Sequence, residues 1–317
     1  MHLPLIQKPC VLPRRENDFD RYTPLAFDAM GCRFEILIDA ERSSIDRGDC
    51  VAVCENLRDL VHDWHRRLSV FEPSSLASHI NRATANDPIC VDEDMFALLK
   101  LCEHLREQTG GVFNIACGTL MMAHGFRNET IEDLAGLDLS CAFKLNRSDR
   151  TITKTDSRIG LDFGAIAKGF VLDLMRDELD DLGIEHAFIH GGTSSVLGIG
   201  DGKDGQPWSV LIDTGIEIRL NGFSMGVSEL YGRSVQTDLI TSGHLMNPDL
   251  LAPATSNLSR VVCVHPSAAI ADAYSTACSV SPLLIDQLGD ESCTLVALRE
   301  DNEPVFHDPL RVVCFKS

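Results

Sequence analysis

No stretch of the 317 residues approaches the roughly 20 consecutive apolar side chains of a membrane span, so integral membrane placement is excluded. Basic side chains are scarce: 28 Lys+Arg face 47 Asp+Glu, a net charge of −19 that repels phosphate backbones and argues against nucleic acid as a partner. A local site can still differ in sign from the whole surface and hold a small phosphate ligand through a divalent metal. The twelve cysteines form no CxxC pair, and most sit beside Val, Leu or Ala, as buried free thiols do. A disulfide framework is improbable at this length, which points to a reducing compartment. The opening MHLPLIQKPC has no basic region followed by an apolar run, and Cys10 follows Lys8 and Pro9, unlike a lipid-anchored cysteine. The expected location is cytoplasmic. Internal repeats, low-complexity tracts and long linkers are lacking as well.

With 44% hydrophobic residues, the chain has ample core for one large domain or two ordinary ones. Residues 1–24, rich in Pro and charge, are expected to wrap the surface, and 25–317 to form a single domain or two closely packed lobes. Phe34, Ile36 and Ile38 alternate with Glu35 and Leu37 as in a strand. Cys54, Leu57, Val61, Trp64 and Leu68 step by three and four, the mark of an amphipathic helix. A second helix is capped by Asp92, carries Met95, Leu98, Leu99, Cys102 and Leu105 inward, and stops at Gly110-Gly111. Ile159 and Leu161 read as a strand end. After them Ile166, Phe170, Val171, Leu174, Met175 and Leu182 form the inward face of a helix that ends at Gly183. Short β-like runs follow at 187–190, 195–199, 208–212 and 261–264, and D-G-K-D-G-Q-P (201–207) reads as a hairpin connection. A helix over 268–281 and closing strands at 293–298 and 312–315 complete the pattern. Helices inserted among hairpin-linked strands predict an α+β fold, mixed or antiparallel sheets with packed helices.

Chemistry concentrates in a few segments. In D-F-G-A-I-A-K-G (162–169), small residues at Gly164, Ala165 and Ala167 let another group approach a helix N-terminus. Exposed N–H groups and a partial positive charge there suit an anion. Lys168, one turn in, adds a point charge for phosphate, and Asp162 can accept hydrogen bonds from a ligand ring or amide. The same spacing also fits a tight connection with a capping Asp and a surface Lys, because the Walker ending is missing. In A-D-A-Y-S-T-A (271–277), a helix places Asp272 and Thr276 on one face with Ser275 beside them. This is an incomplete hard-oxygen set. It suits Mg²⁺ when water, a carbonyl and substrate phosphate complete the shell, and Mn²⁺ accepts the same ligands. The plainer alternative is a Thr bonding back along its own helix. H-G-G-T (190–193) permits close backbone approach, for a ligand or only for a bend. His244, in S-G-H-L-M-N-P (242–248), is a candidate general base near neutral pH. His62 and His65 do not make a metal motif, since no HExxH accompanies them.

From about Met30 to Thr276 these segments, in this order, resemble the ApbE family of FAD:protein FMN transferases. M-G-C-R-F-E-I (30–36) is similar to the family's opening M-G-T strand, and L-S-V-F-E-P-S-S-L-A-S-H-I-N (68–81) to the segment whose aromatic residue meets the flavin. G-V-F-N-I-A-C-G-T-L (111–120) resembles its G-x-F-D segment, and 162–169 and 271–277 match its signature and its metal segment. The resemblance implies the ApbE-like flavin transferase fold, FAD as substrate, and transfer of FMN to a Thr or Ser hydroxyl of an acceptor flavoprotein with release of AMP. It implies flavin-nucleotide contacts from Met30, Phe71, Phe113, Asn114, Ile115 and Met246, and further FAD contacts from Asp162 and Lys168. Mg²⁺ would take the Ala165 carbonyl, Asp272 and Thr276, with Ser275 beside them. His244 would handle the acceptor proton, and Lys168 would hold pyrophosphate oxygens at the reacting centre.

The chain departs from the family at Asn114, where Asp is usual, and at Val227–Glu229, where T-S-G is usual. The loop 244–253 lacks the family's Asp and its Thr-Gly, and Thr193 stands where an acidic residue often follows the two glycines. These changes fall on the acceptor side more than on the metal side. They leave two alternatives open: an FAD pyrophosphatase giving FMN and AMP, and a flavin-binding protein without turnover.

Overall fold

A computed structural model of the chain describes residues 22–127, 131, 133–213, 215–230, 234–236, 241–299 and 304–315. Its frame is an eight-stranded sheet of β1 (Tyr22–Ala29), β2 (Cys32–Asp39), β3 (Ala187–Gly191), β4 (Ser195–Ile199), β5 (Phe223–Glu229), β6 (Leu258–His265), β7 (Thr294–Arg299) and β8 (Pro304–His307). The strands lie side by side in chain order, each antiparallel to the next. Period-two alternation explains why both faces are covered. Val261 and Cys263 on β6 join one buried cluster, and Val262 and Val264 between them join another.

On the first face lie the helices α1 (Arg47–Leu68), α2 (Leu76–Arg82), α3 (Glu93–Gln108), α4 (Gly118–Ala123), α5 (Ala167–Asp181) and α6 (Ala268–Val280). Their starts are written in the sequence: Asp46, Ser75, Asp92 and Ser267 each accept a backbone N–H from the first turn of α1, α2, α3 and α6. The second face is covered by a three-stranded sheet of Trp208–Asp213, Ile216–Leu220 and Val313–Phe315. The α+β expectation, antiparallel sheets with packed helices, holds. Among the described residues no helix is long and apolar enough to cross a membrane. Six of the free cysteines are buried, Cys50, Cys54, Cys102, Cys263, Cys278 and Cys293, but Cys90 and Cys141 are exposed.

Four local expectations need correction. β1 starts at Tyr22, so it takes up the last three residues of the segment expected to wrap the surface. Residues 1–21, with Cys10, lie outside the described residues. Residues 159–161 are not a strand; a single bridge, Gly160 to Cys117, ties them to the turn before α4. Leu182 follows α5 and is 49% exposed rather than inward. The 201–207 turn is not a hairpin. It carries the chain from β4 to the smaller sheet, and its one pairing is the Asp201–Pro207 bridge. A turn-rich sequence specifies a reversal there but not which sheet receives the next strand.

α5 and α6 meet closely because of two residues. A Cβ at Gly169 would lie 2.1 Å from the Ala268 carbonyl oxygen, so only glycine fits. Asp173, one turn further along α5, accepts hydrogen bonds from Ala268 N (2.7 Å), Ala269 N (3.0 Å) and Ser267 Oγ (2.6 Å), capping α6 from outside. The two helix N-termini are thereby fixed side by side.

Candidate active site

A cavity of about 930 Å³ opens where those N-termini meet the ends of β1, β4 and β5. From α6 come Asp272, Ser275 and Thr276; from the turn before α5 come Asp162 and Ala165; Lys168 follows on α5 itself. Met30 and Phe71 border the cavity, as do Phe113 and Asn114. His244 and Met246 border it too. Segments spread from residue 30 to 276 thus converge on one space. Ile115 is the exception: it is 3% exposed and does not border the cavity, but its carbonyl accepts the Asp162 N–H at 2.7 Å and so aligns the turn.

Each position has a local cause. Met30 and Gly31 both have positive φ, 50° and 72°, the two-residue hairpin turn that matches strand twist. A left-handed methionine is strained, and here the strain places it at the cavity wall. The Leu161 peptide is bracketed by the Asn81 side chain, which donates to its carbonyl (2.9 Å) and accepts its N–H (2.7 Å). Buried Lys154 donates to the carbonyls of Asn81 (2.6 Å), Ile159 (2.8 Å) and Ser157 (3.2 Å). Asp162 therefore leaves a clamped backbone.

Asp272 is 6% exposed. Its carboxylate accepts hydrogen bonds from Gly169 N (2.7 Å) and from Ser195 Oγ (2.8 and 3.0 Å). Burial pushes its pKa up to about 6, against the opposing pull of the Lys168 charge and of those two donors. Ser228 Oγ lies 2.9 Å from Thr276 Oγ1 and 3.0 Å from Ser275 Oγ, making a hydroxyl cluster beside the carboxylate. Three of the N–H groups expected to be exposed at the start of α5 are already engaged. Ile166 N and Ala167 N both donate to the Phe163 carbonyl, and Gly169 N is taken by Asp272. The helix end thus stabilises Asp272, and Lys168 borders the cavity beside it.

Three of the positions where the chain departs from the family pattern have hydrogen-bond or ion-pair partners in the fold. Asn114 accepts from Ala116 N (2.9 Å) and donates to the Leu139 carbonyl (2.8 Å), a second bond that a carboxylate cannot make. Asn247 accepts from Asp249 N and Leu250 N, both at 3.0 Å, closing the turn of its loop. Glu229 pairs across the strands with Arg260 (2.7 Å), which also donates to the Ile212 carbonyl (2.6 Å). Thr193 borders the cavity beside Gly192, whose φ is +67°.

Sequence reading missed three contributors. Ser195 sits in a strand and carries no motif, and Ser228 lies in the 227–229 stretch, noted in the sequence only for its departure from T-S-G. Arg127 follows the short α4; its guanidinium pairs with the Asp162 carboxylate and lies 4.7 Å from the centre of the Phe71 ring. Only its charge, in a region otherwise short of basic residues, set it apart. Among the described residues no group of three or more His, Cys, Asp or Glu could hold a metal. A cation here would need hydroxyl, carbonyl and ligand oxygens beside the single Asp272.

The model of the ApbE family matches residues 30–285. The FAD:protein FMN transferase of Klebsiella pneumoniae is 26% identical over 270 residues, covering 80% of this chain and 82% of that protein. The enzyme of the same name from Treponema pallidum is 27% identical over 274 residues, covering 77% and 74%. Among solved structures, the ApbE protein of Thermotoga maritima superposes with a TM-score of 0.78 at 22% identity, over 90% of this chain and 96% of that one. The flavin transferase ApbE of Vibrio cholerae superposes with a TM-score of 0.76 at 19% identity, over 92% and 98%.

Proposed function

Because the chain belongs to the ApbE family, we propose that it is an FAD:protein FMN transferase, moving FMN from FAD to a Thr or Ser hydroxyl of an acceptor protein and releasing AMP. The observation that carries this reading is the meeting of Lys168 on α5 with Asp272, Ser275 and Thr276 on α6 at one wall of a cavity about 930 Å³ in volume. A nucleotide pyrophosphate needs charge neutralisation from both a cation and a metal site, and these residues supply the means for both.

The donor set fits magnesium. Asp272 is a buried carboxylate, Ser275 and Thr276 are hard-oxygen neighbours, and the Ala165 backbone borders the same space. Asp272, Thr276 and the Ala165 carbonyl would hold the ion, which when bound neutralises pyrophosphate charge and makes the phosphorus attackable. Lys168 would hold the phosphate oxygens. Met30, Phe71, Phe113 and Asn114 would position the flavin half, with Asn114 setting the turn and Met246 adding to the lining. The acceptor oxygen attacks the phosphorus on the riboflavin side; its new P–O bond forms as the bond to AMP breaks. His244 would take the acceptor proton, a task suited to an imidazole near neutral pH.

The test is incubation of FAD with purified protein, with magnesium or EDTA, and with or without a threonine acceptor peptide. Covalent flavin on the peptide, with AMP released only when magnesium is present, is expected. Free FMN and AMP formed without acceptor dependence would replace the transferase by a pyrophosphatase. Unchanged FAD that nonetheless binds would leave a flavin-binding protein.

A further inference from the structure

Arg127 belongs to no motif, yet it occupies a built position. Its guanidinium lies over the exposed ring of Phe71 and pairs with Asp162, whose other oxygen is held by the Gly164 N–H at 2.8 Å. The Arg127 and Asp162 side chains are only 17% and 16% exposed. Both nevertheless border the main cavity, and Arg127 and Phe71 also border a second, smaller cavity of about 120 Å³ that lies against Asn81 and Leu161. Arg127 is therefore part of the partition between the two spaces. It reaches Asp162 from the turn after α4, while Asp162 is fixed from the other side by the Ile115 carbonyl and the clamped Leu161 peptide.

A ring entering the main cavity at this partition meets a donor fork and a carboxylate side by side. The guanidinium is planar, always charged and donates in a fixed geometry, so it selects a strong acceptor such as a carbonyl oxygen. The carboxylate beside it selects an N–H. A carbonyl next to a ring N–H is the imide edge of an isoalloxazine, and adenine, which has no carbonyl, lacks that pairing. The aromatic face of Phe71, 66% exposed, adds a stacking surface for a flat ring. From these positions we infer that the Arg127–Asp162 pair is the specificity element for the flavin ring, reading its imide edge. This inference builds on the transferase reading and names the residues that select its flavin.

Affinities of the full chain for FAD, riboflavin, N3-methylriboflavin and AMP test it, followed by flavin fluorescence and, for AMP, by calorimetry. N3-methylation removes the N–H and crowds the carboxylate, so the unaltered protein should bind N3-methylriboflavin about tenfold more weakly than riboflavin, the worth of a hydrogen bond to a charged group. Arg127→Ala should weaken riboflavin and FAD by about tenfold or more while AMP binding is unchanged, and the discrimination against the N3-methyl compound, which the Asp162 carboxylate imposes, should persist. Arg127→Lys keeps the charge but not the fork and should recover only part of the loss. Equal binding of riboflavin and N3-methylriboflavin by the unaltered protein would overturn the inference without recourse to any variant. So would an Arg127→Ala variant that loses AMP affinity or keeps full riboflavin affinity. If the unaltered protein binds neither FAD nor riboflavin, the transferase reading itself fails, an outcome distinct from these.

Discussion

Asp272 shows how a single carboxylate acquires a role from its surroundings. It is buried, accepts from Ser195 and Gly169, and faces the Lys168 charge. Asp272→Asn preserves shape, since the amide oxygen can still accept from Gly169 and the amide nitrogen can donate to Ser195 Oγ. Magnesium-dependent AMP release should fall by about 100-fold or more, while the thermal transition stays close to that of the unaltered protein. Retained turnover would remove Asp272 from the metal assignment. Asn114 makes the converse case. Asn114→Asp would set a buried carboxylate against the Leu139 carbonyl and should cost about 1–3 kcal/mol, read as a lower denaturant midpoint. The motif residues were legible because spacing on a helix fixes a shared face, as with Asp272 and Thr276. Ser195, Ser228 and Arg127 were not, because their roles arise from strands and turns that only tertiary packing brings together.

At the scale of elements, the decisive contact is that of α5 with α6. Gly169→Ala would drive a methyl group into the Ala268 backbone and detach Gly169 N from Asp272. Loss of several kcal/mol and of magnesium-dependent turnover together is the expected outcome, measured by denaturant unfolding and AMP release. Lys154 governs the other approach to the site, through the carbonyls that hold 157–161. Lys154→Met leaves these carbonyls short of a donor and should cost about 2 kcal/mol. Burial lowers the Lys154 pKa from 10.5 to about 8. Between those values the unfolded chain binds more protons than the folded one, so this group makes stability rise as pH climbs through that window. The Met variant should lack that rise in a pH series of melting curves. Helices α1, α3, α5 and α6 were readable from apolar spacing and capping residues, because those signals are local. The 159–161 segment looked like a strand because its residues alternate. Its partners turned out to be a side-chain amide and a buried ammonium, which no periodicity encodes.

For the molecule as a whole, the net charge of −19 sets the field that an acceptor protein must enter. Flavin transfer to a threonine peptide with Lys on both flanks should be several-fold more efficient at low than at high salt, and an acidic-flanked peptide should show the opposite trend; kcat/KM across a salt series checks both. Matching salt responses for the two peptides would mean that the overall field plays no part in acceptor choice. The order of the central sheet carries a consequence of another kind. β1 and β2 join through a two-residue turn, but β2 can pair with β3 only after all the chain between Asp39 and Ala187 has looped back. That excursion contains α1 to α5, so the seam between β2 and β3 closes late in folding, after the loop entropy of the longest connection has been overcome. Until then the chain is two separate ribbons, one of them carrying Asp272, and neither alone can enclose a nucleotide.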